Sequence, residues 1–179
     1  MGKHAFLLGV YINPNYTDAI INQLLSDKTN IYIHVNDLNW AEFLPLAKKY
    51  ESFNNVVFLH DIKVLWGGST LLQSVMCMLN KALENKENTY FHLITGQDIL
   101  IKPLEEFFNF FEGNINSYIS YFALPDYNRL AGGGLGRYDK YYLYDILDCR
   151  KRGFKSKLNK LCHYCPIKKG NSIFETVEL

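Results

Sequence analysis

The chain has 179 residues, 48% of them apolar, 21% charged and 15% aromatic, with a formal net charge of +1. That balance excludes disordered, collagen-like and low-complexity classes, and a chain of this size buries roughly 70% of the surface it exposes when unfolded, enough for one cored domain. No apolar run reaches the roughly 18 residues of a membrane span, and no small-residue cleavage site follows the apolar stretch after Lys3 and His4, so the sequence reads as cytoplasmic.

Strand-like and helix-like segments alternate from the start. Ala5 to Tyr11 is an apolar run of strand length, and Pro14-Asn15 breaks it. Thr17 is the expected N-cap of a first helix carrying Ala19, Ile20, Leu24 and Leu25. Ile31 to Val35 is a second strand, and Trp40 to Tyr50 has a helical period in spite of Pro45. Val56 to Leu59 is a third strand. Ser69 to Glu84 is the strongest helical pattern, with Leu71, Leu72, Val75, Met76, Leu79, Ala82 and Leu83 expected on one face. Tyr90 to Ile94 is a fourth strand, Leu104 to Phe111 a Phe-rich helix and Tyr118 to Phe122 a fifth strand.

This order predicts an α/β fold, an open and mostly parallel sheet with helices on both faces. In such sheets ligands bind beyond the carboxyl ends of the strands, where this sequence places Asn13-Pro14, Asn36-Asp37, Trp66-Gly67-Gly68-Ser69 and Thr95-Gly96-Gln97-Asp98. Residues 126–170 read as a long excursion in which Gly132 to Gly136 are followed by Tyr138, Tyr141, Tyr142 and Tyr144.

Charge is unevenly spread: residues 1–149 hold 11 Lys/Arg and 16 Asp/Glu, and residues 150–179 hold 8 and 2. The basic segment suits an anionic partner, a membrane surface included, or is simply a solvated face. With only Phe154 and Tyr164 interleaved along 150–169, it makes a poor stacking platform, and no nucleic-acid partner is expected. The four cysteines, Cys77, Cys149, Cys162 and Cys165, make no disulfide scaffold. Cys77 is expected in the core. Cys149, Cys162, Cys165 and His163 are the candidates for a zinc site, although no second ligand pair has the usual spacing.

Each candidate site has a plain reading beside the functional one. Trp66 to Ser69 could hold an anion or a sugar at a helix start, or be a tight turn with Trp66 in the core and Ser69 as cap. Asp98 could accept a hydroxyl hydrogen bond with Lys102 on a phosphate, or the pair could be a helix cap and a local ion pair. Asn36-Asp37 offers one carboxylate where a metal–diphosphate site wants two, so Asp37 suits a nucleoside better than a metal. Arg129 and Arg137 flank a glycine-rich loop that could close over an anionic ligand, or be solvated surface arginines. No nucleophile elbow, phosphate-binding lysine motif or zinc-protease motif is present.

Several segments together resemble one family. Ile31-Tyr-Ile-His-Val-Asn-Asp37, Leu65-Trp-Gly-Gly-Ser-Thr-Leu-Leu72, Tyr90-Phe-His-Leu-Ile-Thr-Gly-Gln-Asp-Ile-Leu-Ile-Lys102 and Gly134-Leu-Gly-Arg137 resemble, in order and spacing, motifs of the Core-2/I-branching enzymes. That family includes β-1,6-N-acetylglucosaminyltransferases, peptide-O-xylosyltransferases and bacterial members. The resemblance implies a GT-A-like (Rossmann-like) fold and an inverting, metal-independent glycosyltransferase. It would move N-acetylglucosamine or xylose from a UDP-sugar to a glycan or polysaccharide acceptor, without a cofactor. It also implies that Asp37, Trp66, Gly67, Gly68, Ser69, Gly96, Gln97, Asp98 and Lys102 bind the donor, with Arg129 and Arg137 on the acceptor or phosphate side.

The family's catalytic glutamate segment has no counterpart here and is expected beyond Leu179. On this reading residues 1–125 form the nucleotide-sugar half of one domain and 126–179 part of its acceptor side. The other reading is a non-catalytic nucleotide- or glycan-binding remnant. Open strand edges are expected to be candidates for pairing with a second copy.

Overall fold

The computed structural model describes residues 2–128 together with Gly134 and Tyr144. Four strands, β1 (Lys3–Val10), β2 (Thr29–Val35), β3 (Val56–Leu59) and β4 (Asn88–Thr95), form one parallel sheet in the order β3-β2-β1-β4. Four helices connect and follow them: α1 (Pro14–Leu24), α2 (Trp40–Lys49), α3 (Thr70–Glu84) and α4 (Leu104–Phe111). The α/β class and the first four strands therefore stand as the alternating pattern implies.

Strand parity explains the two faces. Phe6, Leu8 and Val10 of β1 and Ile31, Ile33 and Val35 of β2 meet α1 and α2 through Ile20, Ile21, Leu24, Phe43, Leu46 and Tyr50. Leu104 and Phe107 of α4 pack on the same core. Ala5, Leu7 and Tyr32 point the other way, onto Met78 and Ala82 of α3. All seven residues of β2 are buried, as befits a strand covered on both faces.

Four expectations need correction. Thr17 does not cap α1. The helix starts three residues earlier, with Pro14 at its first position and Asn13 as cap, and Thr17 is a buried interior residue. Proline's fixed φ and missing N–H suit that first position, so Pro14 begins the helix instead of breaking the chain before it. The buried stripe of α3 is Ser74, Met78 and Ala82, and Leu71, Leu72, Met76 and Leu83 are exposed. Cys77, one position from that stripe, is half-buried with a free thiol, and burial raises its pKa. No strand forms at Tyr118 to Phe122, and Ile119 and Tyr121 are exposed.

The chain divides into two compact units, Met1–Val64 with Ser69–Ile115, and Leu65–Gly68 with Asn116–Leu179. The first holds the sheet and all four helices. Described parts of the second include a turn in which the Gly68 N–H donates to the Leu65 carbonyl at 3.1 Å. There Gly67 takes φ 77°, a conformation that glycine adopts without strain. Among the described residues no helix is long and apolar enough to cross a membrane.

Candidate functional site

In the strand order β3-β2-β1-β4 the connections reverse direction between β1 and β4. That switch point opens a crevice beyond the carboxyl ends of the strands, where the loops diverge. The four strand exits of the first unit are Tyr11 to Asn13, Asn36 to Asn39, His60 to Val64 and Gly96 to Pro103.

The β2 exit is held by Asn36, which is buried. Its side-chain amide donates to the Val64 carbonyl at 2.9 Å, and its oxygen accepts the N–H groups of Val64 at 3.2 Å and Leu38 at 3.3 Å. The Asn36 N–H donates to the Val10 carbonyl at 3.0 Å. Asn36 thus ties β1, β2 and the segment after β3 together, and Asp37 opens a short 3-10 turn beside it. The Asp37 carboxylate is exposed, with His60 Nδ1 at 3.9 Å. The His60 ring lies flat on Trp40, centroids 4.0 Å apart.

The β4 exit is a closed turn. The Asp98 N–H donates to the Thr95 carbonyl at 3.1 Å, and Asp98 Oδ2 accepts the Thr95 N–H at 2.7 Å. That leaves the carboxylate's other oxygen without a partner among the described residues and at the surface. Gly96 donates its N–H to the Gly9 carbonyl at 3.0 Å. A Cβ on Gly96 would meet Val10 Cγ1 at 2.9 Å and the Gly9 carbonyl oxygen at 3.4 Å. Gly96→Ala is therefore expected to push β4 off β1 at the switch point and destabilise by about 1–3 kcal/mol, the usual cost of overpacking. A urea-unfolding midpoint equal to that of the wild type would contradict this contact. Gln23 of α1 anchors the loop further on, accepting the Leu100 N–H at 2.9 Å and donating to the Leu100 carbonyl at 2.7 Å.

The expected site residues separate into groups. Asp37, Gly96, Gln97 and Asp98 share the carboxyl edge of the sheet in the first unit. Ser69 stands before α3 as its cap residue, yet its side chain makes no cap bond and accepts from Gln73 Nε2 at 3.2 Å. Lys102 pairs with Glu106 at 3.1 Å, both exposed, and Asp98 closes the turn on Thr95 and does not cap α4, whose cap residue is Pro103. Trp66, Gly67 and Gly68 belong to the second unit. Trp66 is 64% exposed, with its edge against the Tyr144 ring at 6.3 Å, so it is not a core residue. Arg129, Arg137, the basic run of 150–169 and the candidate zinc ligands Cys149, Cys162, His163 and Cys165 lie outside the described residues. Among the described residues no group of three or more His, Cys, Asp and Glu converges as metal ligands.

The sequence pattern points to the Trp66-Gly67-Gly68 turn as the ligand rim after β3, whereas His60 and Asp61 are the polar residues that follow that strand directly. The clamp made by Asn36 has no sequence signature, because its partners are backbone groups of Leu38 and Val64.

A parallel sheet with helices on both faces and a polar, glycine-bearing edge at the switch point is the architecture of a GT-A-like glycosyltransferase domain. The model of the Core-2/I-branching enzyme family matches residues 5–149, and the chain belongs to that family. The class of activity this implies is glycosyl transfer, with a sugar donor and a glycan acceptor. No curated protein matches the chain.

Proposed function

We propose that the chain binds a UDP-sugar at the carboxyl edge of the first unit and serves an inverting, metal-independent transfer of N-acetylglucosamine or xylose to a glycan hydroxyl. The observation that carries this reading is the Gly96-Gln97-Asp98 turn. It lies at the switch point, its backbone approaches β1 closely, and it presents one carboxylate oxygen of Asp98 that has no partner among the described residues. Such an oxygen accepts a hydrogen bond from a sugar or ribose hydroxyl. Asp37 takes the nucleoside end, where the stacked His60 and Trp40 give it a rigid flank.

Metal independence is supported by the β2 exit. Asn36 spends its side chain on the backbone of residues 38 and 64, leaving Asp37 as the single carboxylate where a metal–diphosphate site wants two. In the transfer the acceptor hydroxyl attacks the anomeric carbon in line while the diphosphate leaves, a base takes the hydroxyl proton, and cationic side chains neutralise the leaving group.

Calorimetric titration with UDP and with UDP-N-acetylglucosamine, each with and without magnesium, tests the reading. Saturable binding that ignores magnesium is expected. Asp98→Asn keeps an oxygen to accept the Thr95 N–H and removes the charge. It is expected to weaken binding about tenfold or more, the worth of a charge-assisted hydrogen bond. Unchanged affinity in that variant contradicts the assignment.

A further inference from the structure

Two strand exits of the first unit are laced together so that a polar side chain of each comes close to the other. The Asn36 side chain bonds to Val64, and the Asp37 N–H donates to the Ile62 carbonyl at 3.4 Å, which sets the segment after β3 beside the end of β2. Across that seam His60 Nδ1 stands 3.9 Å from Asp37 Oδ1. The His60 ring lies on Trp40, with centroids 4.0 Å apart and planes within 14°. Both side chains remain open to solvent, His60 by 42% and Asp37 by 55%. Neither side chain makes a hydrogen bond among the described residues.

A gap of 3.9 Å is too long for a direct hydrogen bond. One oxygen atom standing roughly 2.8 Å from each side closes it. A carboxylate only accepts, so the imidazole nitrogen facing it supplies an N–H. The oxygen that suits both must donate to one side and accept from the other. A hydroxyl does this, whereas a carbonyl only accepts and an N–H only donates. The stack on Trp40 already orders the ring, so little side-chain freedom is left to lose when a hydroxyl enters.

We propose that Asp37 and His60 together bind one hydroxyl of the donor, which donates to the carboxylate and accepts from the imidazole N–H. This rests on the donor-binding reading above and adds to it His60, which lies outside every motif segment, as a specificity-determining residue. The donor carries hydroxyls on two parts, the ribose and the transferred sugar. In dinucleotide-binding α/β sheets an acidic side chain takes a ribose hydroxyl, and the ribose is accordingly the expected source.

The test is calorimetric titration of the whole chain with UDP, 2′-deoxy-UDP, 3′-deoxy-UDP and UDP-N-acetylglucosamine, repeated on His60→Phe and Asp37→Ala. Phenylalanine keeps a ring on Trp40 and removes both ring nitrogens. Asp37 is exposed and its side chain makes no hydrogen bond among the described residues, so Asp37→Ala is expected to keep the wild-type urea midpoint and carries the same comparison should His60→Phe fail to fold. Each variant is expected to weaken UDP about tenfold, the worth of a charge-assisted hydrogen bond. The wild type should bind one of the two deoxy nucleotides about tenfold more weakly than UDP, and that nucleotide should lose nothing further in either variant. Deoxy nucleotides that match UDP on the wild type, with the loss in the variants confined to UDP-N-acetylglucosamine, assign the hydroxyl to the sugar. Folded variants with wild-type affinity for UDP and UDP-N-acetylglucosamine overturn the pair. So does an equal further loss for UDP and both deoxy nucleotides. Affinity lost in Asp98→Asn but intact in both of these variants keeps the donor-binding reading and overturns the pair alone. A wild-type chain that binds none of the four ligands overturns both.

Discussion

Asn36→Ala is expected to lower the stability of the fold by about 2–4 kcal/mol, more than any other single change at the strand exits. The buried amide makes three hydrogen bonds to backbone groups of Leu38 and Val64. Truncation strips partners from both the N–H and the carbonyl of Val64, and a backbone group left unpaired away from water loses its solvation without compensation. Asn36→Asp provides the contrast. It keeps the two accepted bonds, loses the one donated to Val64 and faces that carbonyl with a carboxylate. It should therefore fall between wild type and Asn36→Ala. The check is urea unfolding followed by circular dichroism, and a loss below about 0.5 kcal/mol in the alanine variant contradicts the clamp. Because the same residue places Asp37, the alanine variant should also bind UDP more weakly under conditions where it is still folded.

The second large effect is acid lability. His4 Nδ1 and His92 Nε2 lie 2.9 Å apart, so one ring holds the shared proton and the other accepts it. Around them are Tyr90, Phe107, Phe108 and Phe111. Burial, with a further contribution from His4, pushes the His92 pKa down to about 4. The His4 pKa is lowered by burial and then by the Lys28 charge, and Lys28 itself is paired with Glu105 at 3.0 Å. An unfolded histidine binds its proton near pH 6.5, so between that value and about pH 4 the unfolded chain holds more protons than the folded one. The stability that neutral His92 contributes is fully present above pH 6.5 and is lost as pH falls through 4. Each pH unit in that window removes up to about 1.4 kcal/mol per proton. Urea midpoints measured from pH 7.5 to 4.5 should fall steeply. In the double variant His4→Phe, His92→Phe the fall should shrink to the share of buried His34, whose pKa is also lowered. An equally steep fall in that double variant contradicts the account.

Much of this fold was legible because hydrophobic period and strand length are local properties. β3 and α4 match the expected bounds, and β1, β2, β4 and α3 differ by a residue or two at their ends. The failures share a cause: they depend on tertiary partners. Thr17 looked like a cap because it precedes the apolar residues of α1, yet proline at the first helical position had already started the helix. The apolar positions of α3 form too broad a stripe for one strand pair to cover, so spacing alone did not say that Met78 would be buried and Leu72 exposed. Tyr118 to Phe122 has strand composition, but a strand needs a partner edge, and composition does not supply one. At the site, the Gly-Gln-Asp motif could be seen as a string of letters. The clamp role of Asn36 could not, because its bonds to Val64 exist only once the segment after β3 lies beside the end of β2.

The central claim is that the donor binds at the carboxyl edge of the first unit. The direct measurement is a two-dimensional NMR titration of the nitrogen-15-labelled chain with UDP-N-acetylglucosamine. The account predicts shift changes concentrated at Gly9, Asn13, Asn36, Asp37, Gly96, Gln97 and Asp98, with little change at Lys3, Asn30 and Asn88 at the opposite edge of the sheet. Changes centred on that opposite edge, or none at saturating ligand, would contradict it.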